Sequence, residues 1–331
     1  MAEVSIALAS YNGARFLPQQ LASLLAQTRL PDELVVGDDR SSDDTVALLE
    51  DFAARAPFPV RITVNAENLG PTRNFAETVL RCRGQVIFLC DQDDVWEPGK
   101  LAAVLDHRAA NPGAWVITHD AALVDAEGTP LGLTMAGQIA RSGDDPAQAL
   151  VAGCCMAIDA RLAALYRPCP RMGEHDAWLA HTADLLGLRS WLPVPLIQYR
   201  RHGGNVSQSF MSSARPASRW TRLVGRARKA LAAPLRQSLQ QAIDARTDRV
   251  AAIRLHRGVL EQAVPPARID AVITAETARL ERDRQRLAIA LAPRCTAPGM
   301  IVRAAAQGVY VGKDGSLSLL RDVWAALRGR A

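Results

Sequence analysis

Three aspartates, Asp91, Asp93 and Asp94, fall within four consecutive positions directly after the apolar run Val86-Ile87-Phe88-Leu89-Cys90. The run reads as a buried parallel strand, and open α/β sheets present their ligands at the carboxyl ends of such strands. Carboxylates this close repel one another unless a cation lies between them. A hard divalent ion, Mg²⁺ or Mn²⁺, suits oxygen donors and grips phosphate oxygens in turn. Asp91 and Asp93 stand two apart and project to one side of an extended segment. The plainer reading is a solvated acidic turn ahead of a helix.

Other residues suggest chemistry in the same way. Asp38 and Asp39 follow the apolar stretch Leu34–Gly37, where an acid can accept hydrogen bonds from a base or a ribose hydroxyl; helix capping is the competing role. Asn68-Leu69-Gly70 precedes a helical pattern, so backbone N–H groups there could face a phosphate, or simply form a turn. Asp176, in Glu174-His175-Asp176, is either an N-cap or a general base for a hydroxyl nucleophile. His202 sits in a Gly-rich turn and could complete a metal shell, although a lone histidine is more often structural.

The elements that must position these groups alternate along the first half of the chain. Strands are predicted over Val4–Ala9, Glu33–Gly37, Pro59–Asn65, Gln85–Cys90 and Trp115–His119. Helices are predicted over Ala14–Gln27, from an N-cap at Ser42 through Phe52, over Pro71–Arg81, and from Pro98 to about Arg108. This order implies a mainly parallel sheet with helices on both faces. Residues 126–147, rich in Gly, Pro and Asp, read as a long loop. A strand at Ala152–Ile158, a helix at Asp176–Leu186 and a strand at Leu196–Tyr199 follow. Beyond Arg215, helical spacing recurs at Ile243, Val250, Ile253 and Leu260; Pro265-Pro266 interrupts it, and a further helix carries Ile269, Val272, Ile273, Leu280 and Leu287.

Composition separates two regions. Residues 1–214 hold 17 Lys and Arg against 25 Asp and Glu, a net −8, whereas residues 215–331 hold 22 against 9, a net +13. A catalytic domain over residues 1–210 and a basic, mainly helical region over residues 211–331 are expected. No apolar run approaches the ~20 residues that span a bilayer. The six cysteines form no C-x-x-C pair, which favours a reducing, cytoplasmic setting.

Taken in order, the segments resemble one arrangement. They are Ala9-Ser10-Tyr11-Asn12, Asp38-Asp39-Arg40-Ser41-Ser42-Asp43-Asp44-Thr45, Asn68-Leu69-Gly70 with Asn74, Cys90-Asp91-Gln92-Asp93-Asp94-Val95-Trp96, Gly153-Cys154-Cys155-Met156, His175-Asp176-Ala177-Trp178-Leu179 and Tyr199-Arg200-Arg201-His202-Gly203-Gly204-Asn205-Val206. Over residues 4 to about 209 the chain resembles glycosyltransferase family 2, with its Rossmann-like GT-A fold. The resemblance implies nucleotide-sugar contacts at Ser10, Tyr11, Asn12, Asp39, Asn68, Gly70, Asn74, Asp91 and Gln92. It implies a D-x-D motif in which Asp93 contacts Mg²⁺ or Mn²⁺, with Asp91 and His202 beside it. Asp176 becomes the catalytic base, and Gly153, Cys154, His175 and Trp178 lie on the acceptor side. The family's Glu-Asp base motif stands here as His175-Asp176.

Rhamnosyltransferase-like members are closest in motif. This implies a dTDP- or UDP-sugar donor, L-rhamnose foremost, and a glycan or polyprenyl-diphosphate glycolipid acceptor in bacterial surface polysaccharide or O-antigen synthesis. For the basic region two readings stand: a solvated helical extension packed on the catalytic domain or at a homodimer interface, and peripheral attachment to an anionic membrane at the cytoplasmic face. The second draws on residues 219–239, where Trp220, Leu223, Val224, Leu231 and Leu235 interleave with arginines. Competing functions are a nucleotidyltransferase acting on a sugar phosphate, which would release pyrophosphate, and a non-catalytic nucleic-acid binder, disfavoured by the sparse aromatics of the basic region.

Overall fold

The structure is a computed structural model and describes residues 3–166, 175–203, 216, 218, 234–293, 295–311 and 315–328. Strands β1 (Val4–Ser10), β2 (Glu33–Asp38), β3 (Val60–Val64) and β4 (Val86–Asp91) alternate with helices α1 (Leu17–Leu25), α2 (Thr45–Arg55) and α3 (Pro71–Arg81). A two-residue strand β5 (Val95–Trp96) precedes α4 (Lys100–Ala110), β6 (Val116–Val124), β7 (Pro130–Thr134), α5 (Met135–Arg141) and α6 (Pro146–Ala149). A 3₁₀ turn (Gly153–Cys155), β8 (Met156–Asp159), α7 (Ala160–Ala163), α8 (His175–Leu186) and β9 (Arg189–Arg200) complete this part.

Among the described residues one nine-stranded sheet runs β3-β2-β1-β4-β8-β6-β9-β5, with β7 paired to β6. It is mixed. The β3-β2-β1-β4 part is parallel, as the strand–helix alternation implies. β8 then pairs antiparallel to both β4 and β6, while β6 and β9 are parallel. The register sets Ser10 opposite Asp38 and Ala9 opposite Asp91. The carboxyl ends of β1, β2 and β4 therefore lie level, and their acids share one edge.

Alternation along the strands sends side chains to two cores. Ile6, Leu8 and Phe88 meet Leu17, Leu21 and Leu24 of α1 and Leu49 of α2 on one face. On the other, Ala7, Ile87 and Leu89 meet Phe75 and Val79 of α3 and Leu179 and Ala183 of α8. The same second core takes in Ile253, Ile269 and Val272 from the helices Leu235–Leu255 and Pro266–Leu291. The C-terminal helices thus pack behind the sheet.

Several expectations need correction. Residues 126–147 are not a loop throughout: β7, α5 and α6 lie there, with the Thr134 hydroxyl capping α5 by accepting from Gly137 N at 3.0 Å. Gly and Pro punctuate elements too short for a periodic signal. Ser42 does not cap α2; Asp44 is the N-cap residue and makes no side-chain capping bond, the Asp43 carboxylate before it accepts from Thr45 N at 3.1 Å, and Ser42 N–H donates to Asn12 Oδ1 at 2.8 Å. β6 and β9 run longer than their apolar cores suggest, because each pairs along most of the other. The interfacial helix expected over residues 219–239 lies mostly outside the described residues, as do Glu174, Gly204-Asn205-Val206 and the boundary near residue 210. No described helix is long and apolar enough to cross a membrane.

Candidate active site

The site is built on the ends of β1, β2 and β4. Asp38, fully buried, accepts from Ser10 Oγ at 2.8 Å, Ser41 N at 2.8 Å and Ser41 Oγ at 2.6 Å. Ser10 is thereby committed to bracing the β1 and β2 ends. Asn12, in the left-handed region at φ 47°, donates its N–H to Ser41 Oγ at 2.9 Å. The Tyr11 backbone is clasped by the Gln92 carboxamide: Tyr11 N donates to Gln92 Oε1 at 2.9 Å, and Gln92 Nε2 donates to Tyr11 O at 3.0 Å. The Tyr11 ring is left half exposed, available to a flat ligand.

Asp39 is the organiser of the next turn. Its carboxylate accepts from Asn65 Nδ2 at 2.9 Å, Leu69 N at 2.7 Å and Gly70 N at 2.8 Å. Asn68 Nδ2 reaches the Asp39 carbonyl at 3.3 Å. Gly70 adopts φ 78°, a conformation only glycine takes without cost, and opens α3. Asn74 lies behind this turn rather than in the cleft. Its carboxamide is buried, donating to Gly37 O at 2.7 Å and accepting from Asn65 at 2.9 Å.

The acidic loop divides into a rim and a floor. Asp93 faces outward, where His202 Nε2 meets its Oδ2 at 2.8 Å and the imidazole stacks on Phe16 at 4.5 Å. Asp94, part of the acidic run but given no separate role by the sequence, points inward. Its Oδ1 accepts from Arg200 N at 3.2 Å, while its Oδ2 is buried without a hydrogen-bond partner. Asp91 lies between, half-buried. Burial, with Asp93 and Asp176 as like-charged neighbours, pushes Asp91 up to about 7. Burial and the same crowding push Asp94 well above the carboxylate range. Arg200 straps the loop, donating from Nε to Asp93 O at 3.0 Å, from Nη1 to Ala126 O at 3.0 Å, and from Nη2 to Gln19 Oε1.

Asp176 opens α8. Its Oδ2 accepts from Gly153 N at 2.9 Å, and the thiol of the next residue, Cys154, lies within 4.8 Å of carboxylate oxygens of Asp91 and Asp94, so the expected base and the acidic loop adjoin one turn. His175 is buried, stacked on Phe75 at 4.5 Å, with Nε2 unpartnered. Burial holds its imidazole below the usual histidine range, with Asp176 opposing. Two acceptor-side expectations are corrected. Trp178 is buried in the second core, as its helical spacing toward that core dictates. Cys154 is also buried; its thiol lies 4.0 Å from that of Cys155 and shares a 4.8 Å cluster with carboxylate oxygens of Asp91 and Asp94.

Those donors can be tested against a divalent ion. The carboxylates of Asp91 and Asp93, with the His202 imidazole, are hard or borderline ligands suited to Mg²⁺ or Mn²⁺. The Cys154 thiol, a soft donor, is a poorer match for such an ion, so by donor type the rim suits it better than the floor, while the ligand atoms gathered within 4.8 Å are those of Asp91, Asp94 and Cys154. The sequence also failed to flag Lys100, sealed beneath the loop, although its i, i+4 relation to Val104 on a buried stripe marks it.

Comparison with known proteins bears on the fold that carries these residues. Residues 5–140 match the family described as Glycosyl transferase family 2. Uncharacterized protein Rv1520 of Mycobacterium tuberculosis is 26% identical over 229 residues, 64% of this chain and 62% of that protein. The chain thus spans about three-fifths of that relative's length. Succinoglycan biosynthesis protein ExoO of Rhizobium meliloti is 31% identical over 140 residues, 42% of this chain and 39% of that protein. The crystal structure of S. aureus TarS 1–349 in complex with UDP-GlcNAc superposes with a TM-score of 0.52 at 17% identity, covering 86% of this chain and 92% of that one. With its acid-tipped β1, β2 and β4 and its mixed sheet, the chain has a GT-A-like fold, and its residues 5–140 are similar to glycosyl transferase family 2 domains.

Proposed function

We propose that this protein is an inverting, metal-dependent glycosyltransferase that moves a sugar from a nucleoside-diphosphate donor to a hydroxyl of a growing bacterial polysaccharide. The observation that carries the reading is the convergence of Asp176 and the Asp91–Asp94 loop on the Gly153–Cys154 turn. A GT-A-like fold and a relative named for succinoglycan biosynthesis support it. The TarS complex supports a nucleotide-sugar donor. The motif resemblance favours L-rhamnose on dTDP as the first donor to assay. Residues 1–210 form the catalytic domain in this reading and residues 211–331 a helical region. The acceptor is a glycan or a polyprenyl-diphosphate glycolipid, the latter held at an anionic membrane that would attract the basic region.

The residues divide the work. Tyr11, Asp39 and the Asn68–Gly70 turn frame the nucleoside. Asp91, Asp93 and His202 would hold Mg²⁺ or Mn²⁺, which when bound offsets negative charge growing on the departing diphosphate. The Gly153 N–H fixes one oxygen of Asp176, leaving the carboxylate to take the proton of the acceptor hydroxyl as it attacks the anomeric carbon. The glycosidic C–O bond to the diphosphate breaks as the new one forms, through an oxocarbenium-like state, and single displacement inverts the centre.

Asp176→Asn keeps an oxygen for the Gly153 N–H but cannot take the proton. Its kcat should fall ~10²–10⁴-fold, while the donor still raises the melting temperature with Mn²⁺ present. Near wild-type turnover would remove Asp176 from the mechanism. Release of pyrophosphate instead of nucleoside diphosphate would replace sugar transfer with nucleotidyl transfer.

A further inference from the structure

Lys100, on the first turn of α4, is fully buried. Lysine is almost never sealed in a core unless its charge is compensated. Its Nζ donates to Cys154 O at 2.9 Å and lies 3.7 Å from the centroid of the Trp96 ring, a desolvated cation–π contact. The acidic loop adjoins the same turn: the thiol of Cys154, whose carbonyl Lys100 grips, lies within 4.8 Å of carboxylate oxygens of Asp91 and Asp94, and burial lowers the ammonium's pKa while Asp94 opposes that. Asp94 needs such a partner, since its Oδ2 is buried with no hydrogen bond. The carbonyl that Lys100 grips belongs to the 3₁₀ turn Gly153–Cys155, whose first N–H holds Asp176 at 2.9 Å.

We infer that Lys100 is a positioning residue with two tasks: a resident cation that offsets the Asp91/Asp94 pair from inside the core, and a strut that fixes the Gly153–Cys155 turn and hence Asp176. One side chain thereby links the cation-facing loop to the base. The inference rests on the proposal that this loop faces the divalent ion and that Asp176 is the base. It explains how three aspartates remain folded together before any divalent ion arrives, and why the floor of the loop is left to a lysine while the rim faces the cleft.

The test uses the full chain and Mn²⁺ alone, titrated by calorimetry without any nucleotide. Lys100→Met should bind Mn²⁺ at least about tenfold more tightly than wild type, because the carboxylates have lost their internal counter-charge. In sugar transfer its kcat should fall ~10²-fold through displacement of Asp176, with the donor KM within about threefold. If Lys100→Met fails to fold, adding Asp94→Asn removes the stranded carboxylate and should restore a cooperative melt. Mn²⁺ affinity in a folded Lys100→Met no tighter than wild type, or a double variant that still fails to melt cooperatively, overturns the inference. The Mn²⁺ titration and the melt need no sugar transfer, so failure of the glycosyltransferase reading would be told apart from failure of this one.

Discussion

At the scale of single residues, the donor side depends on contacts that a motif cannot show. Gln92 stands between two aspartates and looks like a spacer, yet its carboxamide makes both hydrogen bonds to the Tyr11 backbone. Gly13 is what makes room for it: a Cβ there would lie 2.0 Å from Gln92 Oε1. Because that atom ends a flexible side chain, Gly13→Ala should unseat the clasp rather than unfold the strand. Two hydrogen bonds at ~0.5–1.5 kcal/mol each put the expected rise in donor KM at about tenfold for Gln92→Ala, with kcat within about twofold. Gly13→Ala should match it, and the double variant should be no worse than either single. Steady-state kinetics of the three variants check this; additive losses would mean that glycine and glutamine act separately.

At the scale of elements, β6 shows what patterning reveals and what it hides. Its apolar start was legible from Trp115 to His119, but not its extension to Val124 or its antiparallel partner β8. Strand direction depends on how the chain returns to the sheet, and alternation of side chains says nothing about it. The parallel β3-β2-β1-β4 part was legible because each crossover carries a helix of recognisable period. Asp91, Asp93, Asp94 and His202 were legible as candidate ligands by type and spacing, whereas the burial of Asp94 and of Lys100 was not, since burial is a property of the packed sheet.

His119 is a third such case. It is fully buried in β6, with Nδ1 against Asp120 O at 2.8 Å and Nε2 unpartnered. Burial, with Lys100 nearby, holds its imidazole well below the usual value. The unfolded chain takes up that proton near pH 6.5 and the folded chain does not, so stability is present above pH 6.5 and lost as pH falls below it. The slope is at most about 1.4 kcal/mol per pH unit for one proton. Asp91 and Asp94, raised in the fold, act in the opposite direction. The comparison that isolates His119 is therefore wild type against His119→Gln in urea melts from pH 7 to pH 5. The wild-type advantage should shrink steadily with acid; a difference independent of pH would show that His119 takes up its proton equally in the folded and unfolded chain.

At the scale of the whole molecule, the net +13 of residues 215–331 is largely engaged internally where it is described. Glu276, 0% exposed, accepts from Arg249 at 2.7 Å, Arg279 at 2.7 Å and Arg246 at 3.2 Å. Arg286 reaches Asp322 at 2.8 Å. The packed-extension reading of the basic region thus has a physical basis in these helices. The Glu276 cluster also touches the N-terminal half: Arg249 Nε donates to Thr182 Oγ1 at 3.2 Å, and Thr182 lies on α8, the helix that Asp176 opens. The three guanidiniums hold the Glu276 carboxyl below its usual range despite the opposing cost of burial, so the acid remains charged and its removal strands cations in the interface. Breaking a buried pair from one side costs ~3–5 kcal/mol. Glu276→Gln should lose about that much in urea unfolding, and amide exchange should accelerate in α8 as well as in the Leu235–Leu255 helix. A loss below about 1 kcal/mol, or exchange confined to the C-terminal helices, would mean that the helical region rests on the N-terminal half without bracing α8.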